Sequence, residues 1–140
     1  MHRSQLFICT LCILVLLSIP ASASDLMAVN GRVTLPFADE APSLYFAIQN
    51  RGKKARRIIG GKCSGCEAVE IRRATLQDGM MIPKRLSEWE IPAGGAVAFA
   101  PRGLSIGLIG LTGLSEGTTI EVELEFADGE RIVLDALVQE

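Results

Sequence analysis

The chain has 140 residues, the size of one ordinary domain, with 14 Lys and Arg against 16 Asp and Glu and a net charge of −2. That balance carries no basic footprint for nucleic acid. A single histidine, His2, leaves no Ser-His-Asp triad to build, and no phosphate loop of the required spacing is present, so no enzyme is expected.

Met1–Gln5 carries one cation, Arg3, and Leu6–Ile19 is a predominantly apolar run. Pro20 ends it, and Ala21-Ser22-Ala23 puts small residues at the −3 and −1 positions of a cleavage site. This is the pattern of a secretory signal peptide over residues 1–23, with cleavage expected after Ala23 and a periplasmic or otherwise exported domain over 24–140. The run falls short of the roughly 20 residues of a comfortable membrane span, so no span is expected in the mature chain. Neither Cys9 nor Cys12 follows a small-residue lipobox, and apolar sequence continues past both, which argues against lipid attachment. Cleavage removes His2, Arg3 and two of the four cysteines, leaving a net charge of −3 and only Cys63 and Cys66. In an oxidising compartment these thiols pair unless protected or metal-bound.

In chain order, strands are expected over Gly31–Leu35, Ser43–Asn50, Ala55–Gly60, Ala68–Gln77, Met80–Leu86, Ala96–Ala100, Ser105–Leu111, Thr119–Phe126 and Arg131–Val138. The clearest is TIEVELEF, where Ile120, Val122, Leu124 and Phe126 alternate with three glutamates to give one wet face. Asp78-Gly79 and Asp128-Gly129 each join two strands and predict hairpins, since both residues of such a turn favour positive φ. Many short strands with glycine turns predict an all-β sandwich with Greek-key links. Arg51, Lys53, Lys54, Arg56 and Arg57 crowd one stretch. It reads as a solvated strand edge, or as a docking patch for an acidic partner such as the face of Glu121, Glu123 and Glu125.

Ile91-Pro92-Ala93-Gly94-Gly95, Pro101, Gly103 and Gly110-Leu111, followed by Leu114, Gly117, Leu124 and Phe126, resemble the C-terminal half of the PCu(A)C-type periplasmic copper chaperones. Asp78-Gly79-Met80-Met81 fits that family's central hairpin. The resemblance implies a cupredoxin-like sandwich and a Cu(I) carrier or copper-oxidase assembly factor. Its partner would be a periplasmic or membrane-bound copper enzyme or another assembly factor. The family's copper pattern is a histidine, ten residues, a methionine, twenty-one residues, then His-x-Met. Laid on this chain the four places fall at Arg72, Pro83, Ser105 and Gly107, so the spacing survives and every ligand is replaced.

The stretch GGKCSGCEAVEIRRATLQDGMM over residues 60–81 offers other ligands. Thiolates and thioethers suit Cu(I), and Cys63 and Cys66 with Met81, which lies closer than Met80 to the family's methionine place, would make a sulfur site. Successive strand residues face opposite ways, so at most one of the two methionines can join. A plain Cys63–Cys66 disulfide closing a turn is the alternative, on a non-metal binding or structural module, and the exported context favours it. A thiol–disulfide oxidoreductase would set such a pair at a helix N-terminus. Here Glu67–Ile71 reads as a strand instead.

Overall fold

A computed structural model of the protein describes residues 24–36 and 40–140, and every regular element in it is a strand. The leader, with Cys9, Cys12 and the residues before the expected cleavage, lies outside the described residues. The strands are β1 (Leu26–Thr34), β2 (Ser43–Asn50), β3 (Arg56–Cys63), β4 (Ala68–Gln77), β5 (Met80–Leu86), β6 (Trp89–Ile91), β7 (Ala96–Phe99), β8 (Leu104–Ile109), β9 (Thr119–Phe126) and β10 (Arg131–Gln139). They hydrogen-bond in the order β5-β4-β8-β2-β1-β10-β9-β3-β6, with β7 on β2. Consecutive strands therefore often part company, as Greek-key links require, and β1 pairs with β10 in parallel.

The ribbon folds over so that β3 faces β4, placing Gly61 against the Val69 side chain. Alternation explains the core. On β9, Val122, Leu124 and Phe126 are buried while the glutamates between them reach solvent. Ile71 on β4, Leu104, Ile106 and Leu108 on β8, and Leu134, Ala136 and Val138 on β10 fill the same interior. Phe46 and Phe99 stack at its centre with ring centroids 4.5 Å apart.

The two Asp-Gly turns differ. Asp78 and Gly79 both have positive φ, 50° and 77°, and β4 and β5 pair without a break up to Gln77 and Met80. At the second turn only Gly129 has positive φ, and the Phe126 N–H donates to the Glu130 carbonyl at 2.9 Å. This is a longer loop with glycine in its left-handed position rather than a two-residue turn. The extra residue brings Asp128 and Glu130 to the Arg56 side chain, which pairs with Asp128 at 2.5 Å and with Glu130.

The Ser24 hydroxyl donates to Glu130, and this bond, with that from Arg56, holds the Glu130 carboxyl below its ordinary value of 4.5. A depressed carboxyl stabilises the fold above the unfolded-state value, and that contribution disappears as pH falls through the folded one. Chemical denaturation across pH should therefore find Glu130→Gln less stable than wild type at neutral pH. The gap should close as pH drops below about 4.5. A gap that persisted unchanged in acid would contradict this.

Candidate functional site: the Arg72 face and the Cys63–Cys66 turn

Ile71 points into the core, so its neighbours Glu70 and Arg72 point out. Arg72 donates from Nε and Nη2 to Glu70 Oε2 at 3.3 and 3.2 Å. Glu70 is also 3.8 Å from Arg85 of β5. Across the β4–β8 ladder Ser105 stands directly opposite Arg72 and Gly107 opposite Glu70. The Arg72 side chain lies over Gly107, where a Cβ would come within 2.8 Å of Nε and 3.2 Å of Cδ. Pro83 sits on β5 opposite Ala74. Arg72 and Pro83 both line an open groove of about 810 Å³ whose other walls include Leu35, Pro42, Ile109 and Leu111.

Arg72, Pro83, Ser105 and Gly107 thus lie on three neighbouring strands, and three of them meet. The donors that meet do not suit copper. A guanidinium is a permanent cation, a serine hydroxyl is a poor donor to Cu(I), and glycine and proline offer no side-chain donor. Sequence reading missed Glu70, although two residues apart on a strand share a face. It also missed the groove, whose walls come from segments distant in sequence.

Cys63 and Cys66 form a disulfide with Cα atoms 5.2 Å apart, and the Cys66 N–H donates to the Cys63 carbonyl at 3.1 Å. Gly65, at φ 84°, makes the bend between β3 and β4. The pair packs against the core beside a small pocket of about 210 Å³, flanked by Lys62 and Glu67. A strand follows, so the pair does not sit at a helix N-terminus as it would in a thiol–disulfide oxidoreductase. Among the described residues no three His, Cys, Asp or Glu side chains are placed to share a metal ion.

Met81 does not join them. It pairs with Leu76, whereas the cysteines adjoin Ala68, eight residues away along β4 and so about 26 Å off. The turn that carries the methionines is at the far end of a ten-residue strand. Met80 and Met81 are both exposed.

The basic stretch divides. Arg56 is mostly buried in its ion pairs and against the Phe126 ring, and Arg57 lies 3.5 Å from Glu88. Arg51, Lys53 and Lys54 remain exposed. Of the acidic face, Glu123 and Glu125 lie 3.9 and 4.0 Å from Arg131. Arg73 stands over the Trp89 ring, at 5.6 Å.

The family described as "Putative lipoprotein LpqE-like" matches residues 26–138. The chain belongs to the LpqE-like family. A "Putative lipoprotein" of Leifsonia xyli subsp. xyli is 26% identical over 113 residues, 79% of this chain, and the chain spans 63% of that relative's length. Among solved structures, the copper-bound PCuAC domain from PmoF2 superposes with a TM-score of 0.67 at 19% identity, covering 85% of this chain and 96% of that domain. The apo PCuAC domain from PmoF1 gives 0.65 at 21%, covering 85% and 97%. Cu(I)-bound DR1885 from Deinococcus radiodurans gives 0.64 at 22%, covering 83% and 77%. This LpqE-like chain therefore has the cupredoxin-like fold of PCuAC domains.

Two glycines of the domain should respond differently to a methyl group. At Gly61 a Cβ would stand 2.2 Å from the Glu123 carbonyl oxygen, which is fixed backbone of the β3–β9 ladder. At Gly107 it would meet only a flexible arginine end. Denaturant unfolding should show Gly61→Ala costing about 2–3 kcal/mol and Gly107→Ala less than about 1 kcal/mol. The reverse order would contradict the described packing.

Proposed function

We propose that the protein is an exported binding module that keeps the PCuAC fold without a histidine–methionine copper site. The observation that carries this is the Arg72 guanidinium lying over Gly107 with Ser105 opposite, a cation set among non-ligands. Export is supported by the apolar leader ending in Ala21-Ser22-Ala23 and by the lipoprotein description of the family. The surface offered for binding is the groove beside Arg72. Its volume falls in the range of small-ligand sites, and its mainly apolar walls carry the Arg72 guanidinium and the Glu40 carboxylate to orient a ligand.

One observation favours a second reading. The cysteine side chains are close enough to face a single ion when reduced. Two thiolates would hold Cu(I) by softness, and the protein would then carry it toward a periplasmic or membrane-bound copper enzyme or an assembly factor. Binding would need deprotonated thiols and would weaken as pH fell through the thiol range.

Thiol trapping of freshly exported protein, followed by Cu(I) titration, separates the two. The first reading expects Cys63 and Cys66 oxidised, with no stoichiometric Cu(I) uptake by the oxidised protein or by a Cys63→Ser/Cys66→Ser variant. Tight binding by that double variant would overturn it. Free thiols with bound copper in the exported protein would establish the second. In that case X-ray absorption should show a sulfur-only shell, and Met80→Leu and Met81→Leu should both leave affinity unchanged.

A further inference from the structure

The end of the sandwich where the N-terminal segment enters carries two kinds of side chain that the proposed function leaves unused. The first is cationic. The Asp25 carbonyl accepts from the Arg51 N–H at 2.8 Å, so the loop between β2 and β3 lies beside the chain entry. Buried Asn50 gives that loop its shape. Its Nδ2 donates to the Lys54 carbonyl at 2.8 Å and to the Ile91 carbonyl at 3.1 Å, and its Oδ1 accepts from the Gly52 N–H at 3.0 Å. Arg51, Lys53 and Lys54 project from this fixed turn, and among the described residues none of them has a carboxylate within 4 Å. Of the acids at this end, Asp128 and Glu130 are engaged by Arg56 and Glu88 by Arg57, while Asp25 and the turn residue Asp78 have no ion pair among the described residues. The Asp25 carboxylate lies against Gly52.

The second kind is apolar. β3 runs away from this end toward the cysteines, and β4 returns across the core. Gly61 faces Val69, and further back Arg73 covers Trp89, which pairs with Ile58. The β4–β5 hairpin therefore leaves the sandwich at the entry end. Around its tip Leu76, Met80 and Met81 are 72%, 65% and 51% exposed. Leu76 and Met81 are cross-strand partners on one face, with Met80 on the other. Lys84 and Arg85 follow on β5.

We propose that this end docks on an anionic lipid bilayer, with Arg51, Lys53 and Lys54 against the headgroups and the Leu76, Met80 and Met81 side chains flanking the hairpin turn at the acyl boundary. Free cations beside exposed long apolar side chains are what such an interface selects. The chain itself places a bilayer here. The apolar run Leu6–Ile19 ends five residues before Ser24, at most about 18 Å of extended chain, so until the expected cleavage after Ala23 it tethers this end close to the membrane.

The test is vesicle co-sedimentation of the protein as exported from its own envelope. One vesicle set is phosphatidylcholine, and the other carries about one-third phosphatidylglycerol. Partitioning should favour the anionic vesicles by about tenfold or more at low salt, and the preference should shrink as salt screens it. Lys53→Glu/Lys54→Glu should abolish that preference. Met80→Ser/Met81→Ser should lower partitioning into both vesicle types. Both variants should keep the wild-type unfolding midpoint, because the replaced side chains are exposed. Equal partitioning of the wild type into the two vesicle sets would overturn the proposal. So would a preference indifferent to salt and to the lysine substitutions, or capture of an acidic protein without vesicle binding.

Discussion

A strand can give only every second residue to the core, and this one constraint arranges the surface chemistry of the molecule. Ile71 must be inside, so Glu70 and Arg72 must be outside, on the face that β8 continues with Ser105 and Gly107. The absence of a side chain at Gly107 leaves room for the arginine to lie flat. The same period sends Met80 and Met81 to opposite faces of β5. It also gives β9 its row of glutamates outside a row of core residues. The burial that holds the sandwich together and the placement of its polar groups are one decision, made strand by strand.

Much of the architecture was legible for that reason. Ser43–Asn50, Ala68–Gln77, Met80–Leu86 and Thr119–Phe126 are strands with the bounds that alternation and turn residues imply. What was not legible depends on partners distant in sequence. β6, Trp89–Ile91, is too short to show a period and exists because Arg56–Ile58 pairs with it. β1 starts at Leu26, earlier than its own pattern indicates, because Gln49 and Asn50 extend the ladder to Met27 and Leu26. The turn at Asp128-Gly129 takes an extra residue, and Arg56 gains two carboxylates from it.

The site was legible in part. The resemblance, through its family's ligand spacing, placed Arg72, Ser105 and Gly107 on a common pattern, and they meet across one ladder. The expectation of a third sulfur at Met81 failed on distance. It treated the facing strand as near the cysteines without following the length of β4. The basic stretch likewise read as one patch, whereas Arg56 belongs to the interior of an ion-pair cluster. Charge in sequence does not say which cations are already answered.

The fold is that of PCuAC domains, and our proposal is that this chain keeps that scaffold without a histidine–methionine donor set. The most direct measurement is to restore the family's donors. Arg72→His, Pro83→Met, Ser105→His and Gly107→Met would be combined in a Cys63→Ser/Cys66→Ser background. Arg72, Ser105 and Gly107 meet across the β4–β8 ladder and Pro83 lies with Arg72 on the groove wall, so the account predicts that this protein binds one Cu(I) per chain while the background alone binds none. A folded fourfold variant without Cu(I) affinity, or a background that binds as tightly as the variant, would contradict it.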